Sequence, residues 1–367
     1  LAELKVGING LGVLGRRLLR MLFDSKFNDF SSIGGYTITV AAVNDVSDPD
    51  QLAYLLKYDT VYGVWDKEVS YDSDHKRFVI NGIYVAFTQV APTSDKYWSD
   101  IPWNDSGVEY VFDCTGAYTS YAALGSHTSY GAKLVIGLAQ VAFDNNVPQF
   151  CFGINESAFL KEDTVVGIPA TQCYATSIVC RVLNDLFTVI CGTTTDVGSY
   201  TNLNNLQDSA LSSQKTTPQN GRAGAWNLIY SGRSYAKAIG YLVAEFNGKI
   251  TGQEVRSGTI RGAMTCGTYV IKDSFDIDSF LSKWKNFSSS DFIAYEKNGA
   301  PLASYTGYSL VSSDMSNDPT ICFCHNAYST VQNSDTNQVT ITVLYDPITV
   351  QAANAILMAE YIRTQIG

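Results

Sequence analysis

Leu4-Lys5-Val6-Gly7-Ile8-Asn9 runs without interruption into Gly10-Leu11-Gly12-Val13-Leu14-Gly15, and this stretch decides the fold. The first six residues read as a short buried strand. The next six form a complete G-x-G-x-x-G, and Leu14, Leu18, Met21 and Leu22 then repeat at helical spacing along one face. The three glycines act differently. Gly10 permits the tight turn, Gly12 lets a pyrophosphate approach the backbone, and Gly15 allows close helix–strand packing. The helix start offers free N–H groups and a positive dipole end to phosphate. A second strand, Tyr36 to Val43, ends in Asn44-Asp45, where an acidic residue binds the ribose hydroxyls of NAD; the alternative for Asp45 is a turn or cap residue. Asp24 to Gly35 reads as an enlarged polar loop between the two strands. Further strands at Val108–Phe112 and Leu134–Ile136 predict a doubly wound parallel sheet of Rossmann type.

Composition narrows the rest. A chain of 367 residues, 46% of them apolar, suits two packed domains and excludes a disordered scaffold. No apolar run is long enough to span a bilayer, and a net charge of −10 excludes nucleic acid as a partner. Charged residues make up only 16%, against about 25% in ordinary domains, so the surface is polar and tyrosine-rich. The eight cysteines (114, 151, 173, 180, 191, 266, 322 and 324) have neither disulfide nor zinc spacing. In a strand, Cys322 and Cys324 would share one face and His325 the other; buried small side chains are the reading there, with no metal expected. The chain opens on Leu1, so a removed leader would leave no trace. Sequons at Asn104, Asn155 and Asn286 occur at about the frequency chance gives.

Several segments in fixed order resemble glyceraldehyde-3-phosphate dehydrogenase. They are Lys5-Val6-Gly7-Ile8-Asn9-Gly10, Ala42-Val43-Asn44-Asp45, Lys57-Tyr58-Asp59 with Gly63, and Ile101-Pro102-Trp103. Thr115-Gly116, Gly131-Ala132-Lys133, Gly153-Ile154-Asn155, Asn247-Gly248-Lys249 and Leu344-Tyr345-Asp346 continue the series. The resemblance implies an NAD-binding domain over 1–169, a mixed α/β catalytic-type domain over 170–346, and a C-terminal helix, 347–367, that returns to the first domain. Asp346 as N-cap, Pro347 at the first helical position and the stripe Ile356, Leu357, Tyr361 and Ile362 predict that helix independently. The implied NAD contacts are Asn9, Gly10, Leu11, Gly12, Val13, Leu14, Gly15, Asn44, Asp45, Thr115 and Gly116. The resemblance also implies a cytoplasmic homo-oligomer, a tetramer or a larger assembly; a secretory location stays open.

The family reaction needs a cysteine thiolate at the start of the catalytic domain's first helix and a histidine on a neighbouring strand. Ungapped counting forward from Gly153-Ile154-Asn155 and backward from Arg181-Val182-Leu183-Asn184 both place Thr171 at the nucleophile. Counting likewise places Asp196, in Thr193-Thr194-Thr195-Asp196, at the histidine. A threonine hydroxyl carries almost no alkoxide near neutral pH, and a carboxylate of ordinary pKa is a weak base. Cys173 is the alternative nucleophile, but two helical positions rotate it by about 200°, and none of His75, His127 and His325 falls in a segment expected near it.

Ser199, Thr201 and Arg256 match the family's substrate-phosphate site; a structural ion pair is the alternative for Arg256. The second phosphate site is degraded, with Ala170 and Gln172 in place of hydroxyls and Arg233-Ser234 in place of Thr-Gly. Pro347 replaces the asparagine that binds the nicotinamide amide. The loop from 197 to 221 is lengthened and rich in Ser, Asn, Gln and Thr. These readings predict a catalytically inactive family member with a structural or assembly role that retains NAD. An NAD-sensing module and an active NAD-dependent aldehyde dehydrogenase using Cys173 are the alternatives.

Overall fold

The computed structural model describes residues 2–30, 36–91, 101, 103–138, 146–211, 217–231, 235–287, 303–333 and 336–366. Within them the chain forms two compact units, 1–170 with 351–367, and 171–350.

In the first unit, β1 (Ala2–Asn9) is followed by α1 (Val13–Leu22), β2 (Tyr36–Asn44), α2 (Pro49–Lys57) and an antiparallel meander of β3 (Val69–Asp72), β4 (Arg77–Ile80) and β5 (Ile83–Thr88). Next come β6 (Tyr110–Asp113), α3 (Tyr121–Gly125), β7 (Leu134–Gly137) and β8 (Val165–Gly167). The sheet order is β8-β7-β6-β1-β2-β5-β4-β3, parallel from β8 to β5. Strand order reverses between β1 and β6, so a crevice opens beyond Asn9 and Asp113 at their carboxyl ends, the position where such sheets bind nucleotides. Leu4, Val6 and Ile8 on one face are fully buried and Gly7 and Asn9 on the other are buried too, so the carboxyl end of β1 is covered on both faces. Gly7 faces the Trp103 ring so closely that a Cβ there would lie 2.6 Å from it.

Of Asp24 to Gly35, residues 24–30 are more ordered than a polar loop, and 31–35 lie outside the described residues. Ser25–Asn28 makes a helical turn, and Asp29–Phe30 pairs antiparallel with β2 at Tyr36 and Thr37. Backbone pairing to an already formed strand supplies the order that side-chain periodicity did not announce.

The second unit opens with α4 (Thr171–Leu186) and β9 (Val189–Ser199), then β10 (Ile229–Tyr230), α5 (Ala236–Leu242), β11 (Ile250–Ser257) and β12 (Ala263–Ile271). It continues with α6 (Ile277–Phe287), β13 (Ala303–Thr306), β14 (Ile321–Gln332) and β15 (Asn337–Tyr345). The mixed sheet runs β10-β11-β9-β12-β15-β14-β13, with α4 packed against β9, β12 and β15. On β14, Cys322 and Cys324 are buried and His325 is exposed, although Phe323 between the cysteines is buried as well. Phe280 and Trp284 of α6 lie on Phe323.

The last helix, α7 (Pro347–Ile366), begins in the second unit, and its residues from Gln351 onward belong to the first. Asp346 caps it: Oδ1 accepts from the N–H groups of Ile348 (3.0 Å) and Thr349 (3.3 Å). Ile356, Leu357 and Ile362 are buried as the stripe predicts and Tyr361 is half-buried, but Ala352, Ala353, Ala355, Met358 and Ala359 are buried too. The helix is thus covered nearly all round rather than on one stripe.

Candidate functional site

The glycine turn has the shape a dinucleotide needs. Gly10 adopts φ +93°, a conformation that a side chain would strain. A Cβ on Gly15 would collide with the Gly10 carbonyl oxygen, whereas one on Gly12 would meet nothing within 4 Å. Gly12, the residue meant to face pyrophosphate, therefore fronts open space. It is also the N-cap of α1 without any side-chain cap, leaving the first N–H groups for a phosphate. Leu11 is buried and Val13 is exposed.

Asp45 stands beside this turn. Its Oδ2 accepts from the Leu11 N–H at 2.6 Å and its Oδ1 from the Ser47 N–H at 2.8 Å. A carboxylate offers about four lone-pair positions, so acceptor capacity remains for ribose hydroxyls. Asn44 sends its carbonyl to the Gly10 N–H at 2.7 Å. Thr115 lies against Gly10, its amide nitrogen 3.1 Å from where a Cβ would be, and Gly116 takes φ +65° beside it. Gly10, Asp45, Thr115 and Gly116 thus gather around one turn.

Asn9 points into the sheet end rather than outward. It is buried with Asp113 and His127 and makes contacts with both. His127 belongs to this first-unit cluster, which sequence reasoning missed; the signal was Asp113, an acid ending the strand next to β1.

In the second unit, Thr171 is the first residue of α4 and is 3% exposed. Its hydroxyl donates to the Pro347 carbonyl oxygen at 2.6 Å. Asp196 lies on β9 between Glu254 of β11 and Thr265 of β12, directly in register with both. Its Oδ1 accepts from the Thr265 hydroxyl at 2.6 Å, and that hydroxyl is 3.0 Å from the Tyr345 phenol. Among the described residues no hydrogen bond joins Thr171 to Asp196.

Burial pushes the Asp196 carboxyl up to about 7, against the opposing effect of the Thr265 hydrogen bond and with a further rise from the Glu254 charge. Asp196 is therefore a stronger base than an ordinary carboxylate, and what limits it is position: it is 3% exposed and hydrogen-bonded away from Thr171.

Cys173 is fully buried, with its sulfur 3.9 Å from the Tyr235 carbonyl oxygen. Burial, and then the charges of Asp196 and Glu254, push its thiol well above the ordinary range. That is the opposite of the electropositive setting that makes a reactive thiolate.

Arg256 forms an ion pair with Glu254, a carboxylate only 1% exposed. Arg256 also donates to the Ser199 carbonyl oxygen at 3.4 Å. Glu254 accepts further from Ser231 Oγ (3.2 Å) and Gln172 Nε2 (3.4 Å). The Thr201 hydroxyl accepts from the Leu203 N–H at 3.2 Å, within its own turn. So Arg256 is matched by a carboxylate of this chain, and sequence reasoning missed Glu254. Its partnership depends on strand register, which spacing does not reveal. Arg233 and Ser234 lie outside the described residues. Among the described residues no group of His, Cys, Asp and Glu side chains is arranged to hold a metal, and no helix is long and apolar enough to cross a membrane.

Residues 4–121 match the family model described as glyceraldehyde 3-phosphate dehydrogenase, NAD binding domain, and residues 170–347 match its C-terminal domain. Glyceraldehyde-3-phosphate dehydrogenase B of Aspergillus oryzae is 31% identical over 86% of this chain and 85% of its own length. The glyceraldehyde-3-phosphate dehydrogenase of Claviceps purpurea is 31% identical, covering 85% of this chain and 84% of its own. That of Lactobacillus delbrueckii subsp. bulgaricus is 30% identical over 78% and 80%. The open cradle at Gly12 and the placement of Asp45 fit the dinucleotide that the matched domain is described as binding. With both domains matched in order around a glycine turn shaped for NAD, this chain belongs to the glyceraldehyde-3-phosphate dehydrogenase family.

Proposed function

We propose that this family member binds NAD but does not oxidise aldehydes, and that it serves as a structural or assembly subunit. The observation that carries the reading is the separate commitment of Thr171 and Asp196. The Thr171 hydroxyl donates its hydrogen bond to the Pro347 carbonyl oxygen, and Asp196 accepts from Thr265. A hydroxyl becomes a nucleophile only with an adjacent base to take its proton, and the base position here is turned to another partner.

The substrate side supports the same reading. Arg256 and Glu254 neutralise one another, so a phosphorylated substrate meets a paired arginine instead of a free one. Proline at 347 has no side-chain amide for a nicotinamide. When bound, NAD would supply a hydride acceptor; the chain's own contribution is to hold its pyrophosphate at the glycine turn and its ribose at Asp45. The displaced-nucleophile alternative requires a thiolate at Cys173, where burial and two carboxylates oppose one.

Self-association is part of the proposal. After the lengthened loop, Trp226 is 89% exposed and Leu228 77%. Large apolar side chains so exposed and so close together suit burial against a second copy.

Intact-mass spectrometry after incubation with glyceraldehyde 3-phosphate and NAD tests the chemical half. The expected mass is that of the unmodified chain. An acyl adduct mapping to Thr171 or Cys173 would overturn the reading.

A further inference from the structure

We infer that Trp103, His127 and Asp113 form a hydrogen-bonded chain of fixed direction that positions Asn9 and Thr115 around the glycine turn, making His127 a positioning residue for dinucleotide binding. The inference rests on NAD binding by the first unit.

The direction follows from donor chemistry. The Trp103 indole N–H can only donate, and it lies 3.1 Å from His127 Nδ1. Nδ1 must therefore accept, which puts the ring proton on Nε2. Nε2 is 3.3 Å from Asp113 Oδ2, the oxygen that also accepts from Asn9 Nδ2 at 2.8 Å. The other oxygen, Oδ1, accepts from the Thr115 N–H (3.1 Å) and hydroxyl (2.8 Å). The His127, Asn9 and Thr115 contacts all donate to Asp113, so the carboxylate is the end point of the chain.

That end point orients the next group. With its amide nitrogen drawn to Asp113, Asn9 turns Oδ1 toward Asn44 Nδ2 at 2.9 Å. Asn44 Oδ1 in turn accepts from the Val90 N–H and the Thr88 hydroxyl, both at 2.9 Å. The chain crosses the carboxyl ends of β6, β1, β2 and β5 in sequence. Trp103, His127, Asn9, Asp113 and Asn44 are at most 1% exposed, and a buried network satisfied in this way admits one arrangement.

The arrangement reaches the nucleotide through backbone. The Asn44 carbonyl holds the Gly10 N–H, and its neighbour Asp45 holds the Leu11 N–H. Thr115, fixed by Asp113, lies against Gly10. The structure places His127 beneath these groups, and its influence passes through Asp113.

Three variants separate positioning from bulk. His127→Gln keeps an amide N–H near Nε2 for Asp113; His127→Asn keeps an acceptor near Nδ1 for Trp103 but loses that donor; His127→Leu loses both. Calorimetric titration with NAD should give wild-type affinity for His127→Gln and about tenfold weaker binding for the other two, the effect of losing one of the two hydrogen bonds donated to the buried Asp113 Oδ2. Equal affinity in all three would overturn the inference while leaving NAD binding intact, whereas a wild-type protein that does not bind NAD would overturn the cofactor assignment as well. The wild-type chain alone supplies a check that needs no variant to fold. With only His75, His127 and His325 to label, 15N spectra of the NAD-free protein should show His127 as the Nε2–H tautomer, and an Nδ1–H tautomer would overturn the chain's direction.

Discussion

Glu360 of α7 gives the first unit a pH-dependent stability that one substitution should remove. The residue is 2% exposed, and among the described residues its Oε2 has no hydrogen-bond partner. The nearby Tyr36 hydroxyl donates to the Glu360 backbone carbonyl at 3.2 Å. Burial pushes the carboxyl from 4.5 up to about 7. Below pH 4.5 the acid is protonated whether folded or unfolded, and it contributes no pH dependence. Between 4.5 and 7 the unfolded chain releases a proton that the folded chain keeps, so stability falls as pH rises, and above 7 the full cost is present. A shift of this size corresponds to about 3 kcal/mol at 1.36 kcal/mol per unit. Glu360→Gln stays neutral throughout, so its stability relative to wild type should improve by about 2.5 kcal/mol between pH 5 and pH 8. The phenols facing this region do not titrate in that window, since burial raises Tyr36 beyond it and Tyr110 to about 12. The assay is urea unfolding at both pH values, read by hydrogen-exchange protection of peptides from 351–366. An equal effect at pH 5 and pH 8 would refute the reasoning.

Other expectations concern the two sites and the assembly. Asp45→Ala should weaken NAD binding by roughly 1.5–3 kcal/mol, since the ribose loses a charged acceptor; unchanged calorimetric affinity would remove Asp45 from the site. Glu254→Gln should free Arg256 for inorganic phosphate, detected as a phosphate-dependent rise in Tm of about 3 °C that the wild type lacks. A wild-type rise that disappears in Arg256→Ala would show instead that the anion site is already open. Trp226→Ser should shift sedimentation toward smaller species, and an unchanged distribution would exclude that surface from self-association.

What the sequence disclosed was local in origin. The glycine turn and the Asp346 cap each depend on residues within a few positions of one another and appear where spacing put them, whereas Asp45 at the end of β2 meets Leu11 across 34 residues. Thr171 and Asp196 were placed by ungapped counting, and they occupy the start of α4 and the interior strand β9. Glu254 became visible only through the register that aligns it with Asp196. His127 meets Asn9 across 118 residues and Asp113 across 14, a convergence produced by adjacent sheet ends. The basicity of Asp196 was misjudged because a reference pKa describes water, and this carboxyl is buried beside a second one. Asp29 and Phe30, within the stretch read as a polar loop, were undervalued because their order comes from pairing with β2.

The most direct test of the central claim is NADH formation, followed at 340 nm, from NAD, glyceraldehyde 3-phosphate and phosphate with the unmodified chain. The loss of a positioned base alone typically lowers rate by about 10²–10⁴, and the absence of a thiolate at 171 removes the covalent intermediate as well. Such groups act as a unit, so Thr171→Cys alone should remain at background, and only Thr171→Cys with Asp196→His should recover a trace. The account predicts a flat line for the unmodified protein. Steady NADH production that Cys173→Ser abolishes would contradict it and identify the buried thiol as the nucleophile.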